Sequence, residues 1–460
     1  MDKKLQKGII VILISNLINV FFSFATNFLL PKYLSIDSYA FIKTFQLYIS
    51  YVGLLHFGYI DGMYLNYGGK NLKDEIDDKL LKNISTMRNF QLMIAMIFLI
   101  IAICIKDIIF LIFVLSIMPQ NMINYFKFLY QATGEFKLYG KIMNITTISL
   151  FFINILLLFG LRSDNYLIYI VAYTIQYFVV WIFLEKSFKK KNNIKYCFAF
   201  DIKELIVNIK DGILLTIGNL ASMLLTSMDR WFVKFTMTTL EFAYYSFAVS
   251  IESFLNIAIT PVTTTLYNYF CREKDVVKNK EIFDYVLIFA VFLPIVAFPI
   301  KFVLEHFLVK YINSSSIIFV LFCAQMYYIV IKAVYVNLYK VQKKQSLYFK
   351  KLLFILIVGF VLNIIFYKIK QSMEAYAYGT LCAAVIWFLI SINDFRDLKI
   401  EVKKYMFLCM ASLLFLVIGN NFNSVIGFFI YFIITLFLTI LFFNSAIKNI
   451  SRGIKKFRSK

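Results

Sequence analysis

The chain has 460 residues, of which 61% are hydrophobic and 19% aromatic, with a mean hydropathy of +0.76 and a formal net charge of +22. A soluble chain of this length would sit nearer half apolar and divide into several domains. Nucleic-acid binding is not indicated by the charge, because Lys and Arg lie between hydrophobic runs and no basic stripe with stacking aromatics stands apart from them.

Runs of about twenty apolar residues, the length that crosses a ~30 Å hydrocarbon core, predict spans in chain order. The first seven are Gly8–Leu30, Tyr39–Tyr59, Phe90–Ile105, Ile108–Tyr130, Ile142–Leu161, Tyr166–Leu184 and Gly212–Phe235. The other seven are Phe242–Phe270, Ile282–Ile300, Ser315–Tyr335, Leu352–Tyr367, Met373–Ile392, Tyr405–Ile418 and Val425–Phe443. The third and thirteenth runs are short, so twelve or thirteen spans stay open beside fourteen. Gly8–Leu30 follows Lys3, Lys4 and Lys7 as a signal peptide would. It is too long for an h-region and lacks a small-x-small cleavage site, so it is expected to be retained as the first helix.

With both termini cytoplasmic, about three quarters of the Lys and Arg fall in cytoplasmic connections and termini, the asymmetry that orients membrane proteins. Outer connections such as Leu161–Asn165 and Gly419–Asn423 are very short. The expected divisions are a first lobe at 1–184, a basic linker at 185–210, a second lobe at 211–395, and two further helices with a basic tail at 396–460. The linker carries Lys186, Lys189, Lys190, Lys191 and Lys195, and Ile202–Ile209 reads either as an amphipathic surface helix or as a solvated loop.

An internal repeat marks two helix joints. Lys32-Tyr33-Leu34-Ser35-Ile36-Asp37-Ser38-Tyr39-Ala40 follows the first span, and Lys234 to Ala243 follows the seventh. Each reads as a base, an aromatic, a polar turn, an acid, an aromatic and Ala. An offset of six spans keeps both halves in one orientation, as in transporters built from parallel repeats.

These residues resemble the Wzx-type oligosaccharide flippases of the multidrug/oligosaccharidyl-lipid/polysaccharide (MOP) exporter superfamily. The resemblance rests on the Lys32–Ala40 joint, on His56-Phe57-Gly58-Tyr59-Ile60-Asp61-Gly62, and on Ser227-Met228-Asp229-Arg230-Trp231-Phe232 followed by Ala243-Tyr244-Tyr245-Ser246. Ser35 and Ala40 stand where that family usually has Gly. It implies an all-α integral membrane protein with two parallel six-helix bundles in a V shape and two C-terminal helices outside them. It also implies alternating-access transfer of polyprenyl-pyrophosphate-linked oligosaccharide across a bacterial cytoplasmic membrane. Membrane lipids, a polysaccharide polymerase and a chain-length regulator are the expected partners.

Ionisable side chains at membrane depth are costly and normally face a bundle interior or a wet cavity. The candidates for the pyrophosphate are Arg230, Lys43 and Lys332, with Lys234 and Lys32 at the paired joints. Arg offers a bidentate fork and Lys a point charge, and Arg230 and Lys234 share a face if their helix continues. Asp229, Glu252, Asp61 and His56 are the candidates for ion pairing or for coupling to H+ or Na+, with Glu252 foremost. The bland readings are an Arg230 pair with Asp229 or Glu252, snorkelling of Lys43 and Lys332, and a packed, hydrogen-bonded His56.

No cofactor is expected. The cysteines (Cys104, Cys197, Cys271, Cys323, Cys382, Cys409) are scattered without CxxC or nearby His, which indicates neither disulfides nor zinc. Pro261, Pro294 and Pro299 are expected to bend the eighth and ninth helices. An enzyme such as a polymerase, ligase or acyltransferase is disfavoured by the tiny outer loops and by only two His, His56 and His306. A cation-coupled multidrug exporter, a peptidoglycan lipid-precursor flippase and a non-transporting scaffold are the other readings.

Overall fold

The computed structural model describes residues 3–72, 78–192, 199–272, 275–395, 398 and 401–443. Lys195, Cys197 and the basic tail from 444 lie outside them. The described secondary structure is helical throughout, and thirteen helices are long and apolar enough to cross a membrane. The chain is an integral, multi-pass membrane protein. Its contacts form two compact units, Met1–Leu220 and Ala221–Lys460.

The first unit contains α1 (Lys3–Tyr33), α2 (Ile36–Ser50), α3 (Tyr59–Tyr67), α4 (Asp78–Ile105), α5 (Ile108–Ala132), α6 (Phe136–Ile155) and α7 (Tyr166–Lys191). It also holds the first half of α8 (Ile202–Thr236). The expected second span is broken. After α2 comes a 3-10 turn, Val52–His56, and then Phe57 and Gly58 at positive φ (49° and 92°) before α3 begins. The carbonyls that this break frees are taken up inside the unit. Asn121 Nδ2 donates to Val52 O at 3.1 Å, Gln91 Nε2 donates to Leu55 O at 3.1 Å, and Asn121 also donates to Gln91 at 2.7 Å.

The third span is longer than expected, because the polar turns before Phe90 are helical. Asn83, Ser85, Thr86, Arg88 and Gln91 of α4 are all buried. Ile202–Ile209 forms no separate surface helix: it is the start of α8 and runs on without a break to Thr236. Small residues set its contact with α3, since a Cβ on Gly62 would meet Asn208 O at 1.9 Å and one on Gly212 would meet Gly58 O at 2.0 Å.

The second unit continues with α9 (Thr239–Glu252), α10 (Asn256–Arg272), α11 (Val276–Phe292), α12 (Ala297–His306), α13 (Ser314–Val330) and α14 (Val336–Val341). It ends with α15 (Gln345–Ile369), α16 (Met373–Asp394), α17 (Val402–Asn421) and α18 (Ser424–Phe442). The eighth span bends at a 3-10 turn, Ser253–Leu255, well before Pro261, which sits inside α10. The ninth bends at Leu293–Val296, where Pro294 does lie, and Pro299 falls in the first turns of α12.

The fourth span is central to the first unit and the tenth to the second. α5 packs on α2, α4 and α7, and α13 packs on α9, α11 and α16, the helices six spans later in each case. Every side chain from Ile317 to Val330 is buried, so α13 has no lipid-facing side. The joints flagged as a repeat are built alike. Ser35 (φ −61°, ψ 156°) caps α2 and Thr238 (φ −68°, ψ 159°) caps α9, the latter in a capping box with Glu241.

Helices α17 and α18 pack on the second unit, α17 against α11 and α13 and α18 against α12. Lys404 pairs with Asp284 at 2.6 Å, and Lys301 Nζ donates to Gly419 O at 2.8 Å and Phe422 O at 2.6 Å.

Candidate functional site: a buried charge cluster in the second unit

The local sequence explains why charges come together here. Asp229 and Arg230 lie in the last turns of α8, the Thr238 cap turns the chain into α9, and Glu252 ends α9 where the 3-10 turn begins. Lys332 lies on a π-helical turn, Ile331–Tyr335, between α13 and α14. Four predicted residues from three segments therefore meet in one unit.

Asp229 is 3% exposed. Its carboxylate accepts from Tyr245 Oη at 2.6 Å, from Thr380 Oγ1 at 3.2 Å and from the Arg230 backbone N–H at 2.8 Å. Three donors on one buried carboxylate are what burial of a charge demands. Glu252 accepts from Gln325 Nε2 at 2.7 Å, and the charges of Asp229, Lys332 and Arg230 all reach it. The Lys332 ammonium stands 5.5 Å from the Tyr328 ring centroid. The cluster holds two acids and two bases. A guanidinium offers an anion a forked set of donors and an ammonium a point charge, so the two bases of this cluster have anion-binding chemistry.

Lys234 lies outside this cluster. It is one turn beyond Arg230 on the same helix, which does continue, and its ammonium is 5.2 Å from the Phe242 ring at the joint. In the first unit Lys43 is 4% exposed, so it does not snorkel. It donates to Asn27 Oδ1 at 3.0 Å and lies 5.3 Å from the Tyr39 ring centroid, bridging α1 and α2. Lys32 is exposed, 5.5 Å from the Tyr33 ring. His56 is buried and its Nδ1 accepts from the Gly58 N–H at 3.1 Å, which places it at the chain break. Asp61 is buried at the start of α3 and accepts from Thr216 Oγ1, which ties α3 to α8.

Sequence reasoning passed over a buried ion pair between Arg88 and Glu185 at 2.7 Å, joined by Lys189 at 2.6 Å. Arg88 precedes the expected third span and Glu185 opens the expected linker, so both fall outside the predicted spans. Their i, i+4 spacing from Glu185 to Lys189 was the available signal.

No protein-family profile and no curated sequence matches the chain. Among solved structures, the lipid II flippase MurJ in an inward-closed conformation superposes with a TM-score of 0.70 at 17% identity, over 96% of this chain and 99% of that one. The chain has the MurJ fold. A MATE transporter in a straight conformation matches at TM-score 0.41 and 11% identity, covering 85% of this chain and 94% of that one. A MOP superfamily transporter from Pyrococcus furiosus matches at TM-score 0.41 and 13% identity, covering 86% and 94%. The all-helical membrane fold expected from the sequence is the fold observed: thirteen membrane-length helices among the described residues, with the broken α2–α3 segment where the expected second span lies.

Proposed function

We propose that the protein is a membrane transporter that moves polyprenyl-pyrophosphate-linked oligosaccharide from the cytoplasmic to the outer leaflet by alternating access. The observation that carries this reading is the Asp229–Arg230–Glu252–Lys332 cluster, two acids and two bases at membrane depth in a chain with a flippase fold throughout. A pyrophosphate needs cations where water is scarce, and the acids keep those cations neutralised while the site is empty. Glu252 is the residue we assign to coupling with H+ or Na+. A polysaccharide polymerase and chain-length regulator would receive the product.

A second reading, transport of the peptidoglycan lipid precursor, is favoured by the match to MurJ. Depletion of the protein in its host separates the two. Lipid-linked repeat units should accumulate facing the cytoplasm while surface polysaccharide disappears and the cell wall stays intact. Lysis with arrested wall synthesis would select the second reading. Normal polysaccharide and wall with altered drug sensitivity would sink both.

A further inference from the structure

A polar cleft of about 420 Å³ lies within the second unit, of a size that suits a small ligand. One wall is α10, whose Asn256, Thr260, Thr264 and Tyr267 line the cleft. Their spacing of four, four and three residues puts them on one helical face, and all four are exposed, with the buried Ile259 at the cleft's edge and Phe270 buried outside the lining. A helix within a membrane-length segment that turns such a stripe outward from its core has a wet or ligand-filled neighbour there.

The other wall carries Lys332 and Lys340. Lys332 is held on the π-helical turn, a distortion that costs regular hydrogen bonding and recurs at functional sites. Asn337 Nδ2 donates to Thr263 O at 2.8 Å and to Ala333 O at 2.9 Å, which fixes the two walls together. The residues lining the cleft bring two ammonium groups and no carboxylate, although the Glu252 charge reaches Lys332 from beside it.

We infer that this cleft binds the head of a phosphorylated saccharide, Lys332 and Lys340 taking its negative charge and the hydroxyl face of α10 its sugar. The inference rests on the transport reading and names the part of the substrate that is recognised. Thr264 Oγ1 donates to Thr260 O at 2.8 Å, so its hydroxyl proton is used and the lone pairs that remain can accept from sugar hydroxyls. Lys332 and Lys340 are eight residues apart, roughly 12 Å along a helix. A sugar attached to a diphosphate is long enough to meet both. A plain anion site would need no hydroxyl stripe, and a plain sugar site would need no paired lysines.

Binding to the purified full-length protein in nanodiscs tests this with three probes: undecaprenyl diphosphate, undecaprenyl-diphospho-N-acetylglucosamine and water-soluble uridine diphosphate N-acetylglucosamine. The paired change T260V and T264V keeps side-chain shape and removes only the hydroxyls. It should weaken the sugar-bearing lipid about tenfold, the loss of one or two hydrogen bonds, and leave undecaprenyl diphosphate unchanged. K332Q and K340Q should weaken both lipids. If wild type binds the sugar-bearing lipid and every variant binds it equally well, the cleft is wrong while the transport reading stands. If only the soluble sugar diphosphate binds, and does so in a variant-sensitive way, the cleft stands and the lipid-linked substrate falls. If wild type binds none of the three, both are overturned.

Discussion

Tyr245 donates its phenolic hydrogen to the Asp229 carboxylate at 2.6 Å, joining α9 to α8 just beyond the turn that connects them. Asp229 is buried, so this bond stabilises a group that has no water to fall back on. Tyr245→Phe keeps the ring and removes one of three donors. The expected cost is about 1–3 kcal/mol, read as a lower apparent melting temperature of the detergent-solubilised protein. An unchanged melting temperature would mean that Thr380 and the Arg230 backbone suffice alone.

The approach of α3 to α8 gives a sharper test. A Cβ on Gly62 or Gly212 would fall within about 2 Å of opposing backbone, which no side-chain rotation relieves. Gly218, six residues further along α8, has open space around it. Gly62→Ala and Gly212→Ala should each lower folded protein in the membrane severely. Gly218→Ala should be neutral or should stabilise by up to about 1 kcal/mol through helix propensity. Equal effects at the three positions would refute the close packing.

Arg88 and Glu185 form a buried pair that Lys189 joins. Removing Glu185 takes away the carboxylate that holds the buried guanidinium and should cost about 3–5 kcal/mol, whereas removing Arg88 leaves Glu185 with Lys189 and should cost less. Glu185→Leu alone should therefore deplete the folded protein more than Arg88→Met, and the double change should restore much of what Glu185→Leu loses. Quantitative immunoblotting of membranes reads this directly. A double variant worse than either single one would show that the pair is needed for more than neutrality.

Periodicity and run length were enough to find the membrane helices, because lipid demands about twenty apolar residues wherever a helix crosses. They failed where backbone geometry, not composition, decides. Nothing in Tyr39–Tyr59 announces that the helix stops at Ser50, since the break depends on Asn121 and Gln91 arriving from α5 and α4 to take its carbonyls. The start of α4 was missed for the opposite reason. Its polar side chains read as loop, yet they are buried and satisfied within the unit, for instance by Tyr125 Oη donating to Asn83 Oδ1 at 2.8 Å. Of the site, Asp229, Arg230, Glu252 and Lys332 were legible because charges in apolar runs are rare. Their meeting was not, because it depends on the bend after Glu252 and on the π turn at Lys332. Gln325, Tyr245 and Thr380 carried no charge to draw attention.

Arg230 is where structure and transport can be told apart. Its side chain belongs to the cluster, but Asp229 keeps hydrogen bonds from Tyr245, Thr380 and the Arg230 backbone N–H, and the last of these survives substitution by Ala or Lys. Arg230→Ala should therefore leave the amount of folded protein largely intact and abolish export of surface polysaccharide. Arg230→Lys keeps the charge but loses the planar fork, so it should retain only part of the activity if a phosphate is gripped bidentately. Export assays in membranes matched for protein content give the order wild type, Lys, Ala. If Lys restores full export, a point charge is enough. If Ala exports as well as wild type, the guanidinium has no part in binding the pyrophosphate.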